Sequence, residues 1–260
     1  MLIDTHNHVG LAALDESLDL LSEKAVQAGV IAGIITAGTV EDFEKVSETA
    51  ERLQWAYCVG LHPLYVRKDW QADLEVLEDF LASHINDPRL VGIGEIGLDF
   101  YVEDLDRDLQ ERVLEKELEL AAKFQLPVSL HSRRSLYRVM AALKKYPSVG
   151  GVLHAFSGSL EEMRQAVQRG LYLGFGGAMS YEGSKRVRQA AAVAPLSSIV
   201  LETDAPDMPP KFSMTHRSSP LDLPSYLDIL TAIRAEERSL LEDALFHNSL
   251  AAFPRLKALL

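Results

Sequence analysis

A single cysteine, Cys58, occurs in 260 residues, so no intrachain disulfide can form and a reducing compartment is the expected home. It sits in the apolar run "WAYCVG" and reads as a small buried hydrophobe rather than a nucleophile. Long hydrophobic runs are missing too. The most apolar window, "GVIAGIITAG" at 29–38, is too short to cross a bilayer, and Asp4 arrives before any leader pattern develops. Positive charge is in deficit: 26 Lys+Arg against 38 Asp+Glu give a net charge of −12. That balance disfavours binding nucleic acid through the overall field, while leaving room for a local cationic groove or for divalent ions that recruit phosphates. No Pro/Gly/Ser linker, low-complexity tract or repeat divides the chain. These absences predict a cytoplasmic, monomeric protein folded as one domain over 1–260, with no membrane segment and no obligate protein partner.

What is present is an alternation. Short apolar runs at 2–9, 31–38, 55–62, 90–98, 126–132, 150–158, 171–177 and 198–206 are separated by amphipathic stretches. Three of the latter, at 18–29, 109–124 and 159–170, carry apolar residues at helical spacing. The last opens on Ser159 with Glu162 at the capping-box position. Eight strands alternating with helices predict a (β/α)8 TIM barrel. A doubly wound open sheet is the runner-up, and it lacks its usual glycine-rich phosphate loop after the first strand. The one substantial loop, 207–224, suits a lid at the barrel mouth.

The opening "LIDTHNHVG" puts His6 and His8 two residues apart, on one face of a strand. Further polar residues recur at the ends of later runs: His62, Glu95, His131, His154, Glu202 and Asp204. Singly, His62 or His154 reads as a structural histidine. So many together are hard to explain as core, because unpaired buried polar groups are costly. Imidazoles and carboxylates in this number suit two divalent ions, magnesium, manganese or zinc. A bridging carboxylate would hold such a pair about 3.5–4 Å apart. Glu95, within "GEIGLDF", is the natural bridge, its flanking glycines read as leaving space for the ions. Asp99 reads as a support rather than a ligand. Arg133 is suited to a bidentate grip on phosphate, against a surface salt bridge as the plain alternative. The aromatics Phe100, Tyr101, Phe156 and Tyr181 could stack bases, with core or rim packing the commoner use.

The fragments "DTHNH" (4–8), "GLHP" (60–63), "GEIGLD" (94–99), "HSR" (131–133), "HAFSG" (154–158) and "ETDAP" (202–206) resemble, in order, the motifs of the TatD-like metal-dependent hydrolases. That resemblance implies an amidohydrolase-type TIM barrel and a magnesium- or manganese-dependent deoxyribonuclease, often a 3′-to-5′ exonuclease. It implies that His6, His8 and Asp204 hold one ion, that Glu95 bridges, and that His131 and His154 hold the second. It further implies Asp204 as general base and His62 beside the substrate, assisting phosphate binding or proton transfer. Glu202 is expected to support the site by hydrogen bonding. Two features depart from the pattern: "HPLY" has Leu64 where many relatives have a second histidine, and the loop after Asp204 reads "RSSP" at 217–220.

The expectation is therefore a phosphodiester hydrolase acting on DNA, a single strand or frayed end in preference to an intact duplex. The alternative is hydrolysis of a small ester, amide, lactone or nucleobase amine on the same two-metal site, since this barrel type supports all of these. No lysine stands at a strand end to serve as a carbamylated bridge. A non-catalytic binding barrel is the least favoured class, because no expected ligand is missing.

Overall fold

A computed structural model describes residues 1–11 and 17–260. Eight parallel strands follow in chain order around one sheet: β1 (Leu2–Asn7), β2 (Val30–Thr36), β3 (Ala56–Val59), β4 (Leu90–Asp99), β5 (Val128–Arg133), β6 (Gly151–Leu153), β7 (Leu171–Phe175) and β8 (Ile199–Leu201). The helices are α1 (Leu18–Gln27), α2 (Phe43–Leu53), α3 (Trp70–His84), α4 (Arg107–Phe124), α5 (Leu136–Leu143), α6 (Leu160–Gln168), α7 (Lys185–Val193), α8 (Leu223–Ile233) and α9 (Arg238–Ala252). This is the (β/α)8 TIM barrel. The ring closes through bonds that begin where β8 ends. Thr5 Oγ1 donates to the Leu201 carbonyl at 3.0 Å, the Asp204 N–H to His6 O at 2.9 Å, and the His8 N–H to Ala205 O at 2.7 Å.

Local chemistry sets the helix ends. Ser159 caps α6 reciprocally with Glu162, the serine hydroxyl accepting from the Glu162 N–H and the glutamate accepting from the Ser159 N–H. Asp106 caps α4 through the Leu109 N–H at 2.9 Å. Inside the ring, one end is sealed by Ile3, Ile34, Cys58, Val91 and Val200, packed with Phe253 and Leu256 from the turn after α9. Gly92 makes room for that plug, since a Cβ there would meet Cys58 Sγ and the Phe253 ring. Cys58 is fully buried and burial pushes its thiol up, in keeping with a packing role. No helix among the described residues is long and apolar enough to cross a membrane.

Several strands stop before the apolar runs around them do, whereas β4 and β5 run one residue past theirs. His8, His62, His154, Glu202 and Asp204, expected on strands, lie just beyond the ends of β1, β3, β6 and β8. The backbone leaves the ladder there for identifiable reasons. Ala155 and Asp204 take left-handed φ values of 45° and 58°, and the Leu61 N–H is claimed by the Glu117 carboxylate of α4 at 2.7 Å. The irregular loop after Asp204 also stops earlier than expected, because Pro220–Asp222 form a 3-10 turn that leads into α8.

Candidate metal centre

β4 carries Glu95 into the middle of the barrel mouth, where its two carboxylate oxygens face different partners. Oε2 lies 3.2 Å from His6 Nε2 and 3.4 Å from His8 Nε2. Oε1 lies 2.9 Å from His131 Nδ1, 3.0 Å from His154 Nε2 and 3.3 Å from His62 Nε2. Asp204 closes the first group, with Oδ1 3.3 Å from His8 Nε2 and 3.6 Å from His6 Nε2. Every residue expected to hold metal is thus drawn into one pocket. Three sets have donor atoms close enough for a shared ion: His6–His8–Asp204, His6–Glu95–His154 and His62–Glu95–His131. The grouping on the Oε1 side differs from the expected His131–His154 pair. His131 also contacts Asp99, whose Oδ2 lies 3.0 Å from its Nε2, while His131 Nδ1 and His154 Nε2 both stay within 3.0 Å of Glu95 Oε1.

Hydrogen-bond chemistry assigns the protons. A carbonyl can only accept, so Thr36 O, 2.8 Å from His8 Nδ1, holds a proton on Nδ1, and once the ring is neutral, as a metal ligand must be, Nε2 keeps its lone pair facing the cluster. His62 is the reverse. The Leu64 N–H can only donate, and it donates to His62 Nδ1 at 3.2 Å, which puts the proton of a neutral imidazole on Nε2, toward Glu95. By distance His62 belongs to a triad; by tautomer it is a donor.

The charge balance of the cluster calls for cations. Burial would push Glu95 up, but His62, His154 and His6 outweigh it and hold its carboxyl well below the usual range. Burial opposes ionisation of Asp204 as well, and His154 and His8 overcome it. Burial disfavours the charged forms of His8 and His154, yet Asp204 and Glu95 raise both imidazoles well above the ordinary value. Burial, then the neighbouring His154, lowers His6. Ionised carboxylates among imidazoles that demand positive charge are a donor set in which divalent ions can replace protons. Behind it, His154 Nδ1 lies 3.3 Å from Glu202 Oε1, which holds the ring with Nε2 toward Glu95. Donor types and burial both fit metal.

Supporting residues fix the ligands. Ser129 Oγ lies 2.8 Å from His6 Nδ1. Glu202 accepts from the Ala155 N–H at 2.5 Å, and any side chain on Gly174 would collide with its carboxylate. The glycines around Glu95 do not leave space for ions as expected. A Cβ on Gly94 would strike Ser129, and one on Gly97 (φ 145°) would strike the His131 carbonyl, so both let β4 approach β5 closely. Sequence reasoning missed Asp4, which is fully buried and accepts from the Thr203 N–H at 2.9 Å and Thr203 Oγ1 at 2.6 Å. Burial pushes its carboxyl up to about 7 against those two hydrogen bonds. The available signal was its parity with His6 on β1. It also missed Glu117, an acid on the buried face of α4 beside Val113, Leu114 and Ala121.

The mouth opens into a cavity of about 970 Å³ that reaches His8, His62, Glu95, His131, Arg133 and Asp204. Met208, His216 and Arg217 of the loop after Asp204 form another wall. Arg133 has no carboxylate partner among the described residues; its guanidinium lies 3.6 Å from the Tyr101 ring centroid. Phe100 and Phe156 are buried and pack as core, whereas Tyr101 and Tyr181 are exposed at the rim.

Known proteins agree with this architecture. The pattern of the TatD related DNase family matches residues 3–254. The uncharacterized metal-dependent hydrolase YjjV of Escherichia coli (strain K12) is 35% identical over 254 residues, covering 96% of this chain and 97% of that protein. The crystal structure of that TatD homologue superposes with a TM-score of 0.92 at 34% identity, over 97% of this chain and 98% of the other. The 3′-5′ ssDNA/RNA exonuclease TatD of Citrobacter koseri is 32% identical over 82% of this chain and 84% of its own length. With its barrel, its buried donor cluster and these relatives, the chain belongs to the TatD related DNase family and is a metal-dependent hydrolase.

Proposed function

We propose that the chain hydrolyses phosphodiester bonds of single-stranded or frayed DNA, from the 3′ end, with two divalent ions held at the barrel mouth. The observation that carries this reading is the divided carboxylate of Glu95, one oxygen toward His6 and His8 and the other toward His131 and His154. In this reading His6, His8 and Asp204 would hold one ion and His131 and His154 the other, with the Glu95 carboxylate set between the two groups. Such ions, magnesium or manganese by family habit, supply the charge that acidifies a water and offsets the growing charge on phosphate oxygens.

The rest is the work of this chain's side chains. Asp204 is ionised and borders the cavity, so it orients the attacking water and takes its proton. His62 presents an Nε2–H on the opposite side of Glu95 from His6, where it can donate a hydrogen bond to an oxygen of the scissile phosphate. Arg133, at the cavity wall with no carboxylate partner among the described residues, holds a non-bridging phosphate oxygen. An acidic protein thereby binds a polyanion locally. The departure at Leu64, which lines the same cavity, keeps a smaller ester in view as the second reading.

The test is a panel of single-stranded DNA, duplex DNA, RNA and small carbonyl esters, each with magnesium, manganese and zinc. Release of mononucleotides from the 3′ end of single-stranded DNA is the expected result. Turnover of a carbonyl ester without any release from DNA would establish the second reading instead.

A further inference from the structure

Beside the metal pocket lies a second cavity of about 310 Å³ that shares Ser132, Arg133, His154 and Ser157 with it. Three arginines line it: Arg133, Arg134 and Arg186. Arg133 and Arg134 stand over the same Tyr101 ring, with guanidinium carbons 3.6 and 4.6 Å from its centroid. Arg134 holds a left-handed φ of 57° to be there, a conformation that costs about 1 kcal/mol or more in a non-glycine residue.

At least seven of the thirteen other arginines on this acidic chain pair with a carboxylate. Arg67 contacts Glu41 and Asp73, Arg138 contacts Glu111, and Arg234 contacts Glu236. Among the described residues no carboxylate pairs with Arg133, Arg134 or Arg186. The acids nearby are already engaged: Glu162, on the cavity wall, accepts from the Ser159 N–H and hydroxyl. Asp99 accepts from the Tyr101 N–H and contacts His131. Two guanidinium groups on one ring with no counter-charge repel each other, and an anion between them removes the repulsion.

We propose that Arg134 and Arg186, together with Arg133, form a second phosphate subsite that holds the backbone phosphate adjacent to the scissile one in a single-stranded nucleic acid. The proposal rests on the phosphodiesterase reading above for the identity of its ligand. It makes the enzyme prefer chains with at least two consecutive phosphates, because Arg133 borders both cavities and would sit between them.

The experiment measures binding, separately from cleavage. A short fluorescent oligothymidylate with hydrolysis-resistant phosphorothioate linkages is titrated into the manganese-loaded protein, and anisotropy is followed at several salt concentrations. Replacing both arginines, Arg134→Ala with Arg186→Ala, should weaken Kd about tenfold, the worth of a charged phosphate interaction. The slope of log K against log salt should flatten by about 0.7, because one phosphate of the strand is no longer neutralised. Arg134→Lys with Arg186→Lys should keep the slope. Both arginines are exposed, and neither forms an ion pair among the described residues, so the melting temperature should stay unchanged. The proposal is overturned if the wild type does not bind the probe, or if the alanine variant keeps affinity and slope. It is equally overturned if the lysine variant loses slope as the alanine variant does. Hydrolysis of bis(p-nitrophenyl) phosphate by the wild type tests the phosphodiesterase reading on its own. Absent hydrolysis with salt-dependent, arginine-dependent binding would overturn that reading and support the subsite.

Discussion

The two ends of this barrel are made from the same strands and obey opposite rules. β1 delivers Ile3 to the closed end and His6 to the mouth; β4 delivers Val91 to one and Glu95 to the other. At the closed end, aliphatic side chains, Cys58 and the Phe253 plug fill the interior. At the mouth, the interior holds imidazoles and carboxylates and left-handed residues at Ala155 and Asp204. A few residues of strand separate a region that stabilises the fold from one that is kept polar at some cost to it. The barrel tolerates the second because the first is well packed.

The sharpest way to break this contrast is at Glu95. Glu95→Ala should lower hydrolysis about a hundred- to a thousand-fold, the scale seen when a main electrostatic element is removed, with a native circular dichroism spectrum and reduced bound metal by elemental analysis. Residual activity near wild type would remove Glu95 from the centre. The mirror experiment is Phe253→Ala at the closed end. It should cost about 3–5 kcal/mol in urea denaturation while leaving turnover per folded molecule unaltered. A matching loss of turnover would show that the two ends are not independent.

Asp4→Ala probes the seam between them. It strips the acceptor from the Thr203 N–H and hydroxyl and should cost about 1–3 kcal/mol, with a fall in kcat because Asp204 follows Thr203 directly. The smallest effect concerns Glu117. Burial pushes its carboxyl well above the ordinary value, against the hydrogen bond from Leu61. The folded state therefore keeps a proton that the unfolded chain releases, and stability should decline as pH rises from about 4.5. Glu117→Gln retains an acceptor for the Leu61 N–H and has no proton to lose. It should melt like the wild type in acid and a few degrees higher at alkaline pH; parallel pH profiles would argue against the raised carboxyl.

The alternation of apolar runs and amphipathic stretches was enough to read the barrel, because strand and helix periods leave different marks on a chain. His6 and His8 announced themselves by spacing. Strand ends were less legible: the runs around His62 and His154 keep apolar residues after the ladder has ended, and such ends are set by tertiary bonds such as Leu61 to Glu117. The glycines of "GEIGLDF" misled for a related reason. Space beside a glycine is decided by the neighbouring strand, which here is β5. Asp4 escaped notice because nothing local says that Thr203 will arrive to meet it. Nor does sequence report tautomers; His8 and His62 look alike until Thr36 O and the Leu64 N–H are seen beside them.

The seam between β1 and the segment after β8 has a consequence for biosynthesis. Asp4 and Thr203 are 199 positions apart, and His6 acquires Asp204 only when that segment docks. A nascent chain emerging from the ribosome carries its first two histidines long before their carboxylate exists, and it cannot assemble the full ion-holding set. Catalytic competence is thus timed to the completion of the ring, and a prematurely terminated product lacking the last strand would be inert.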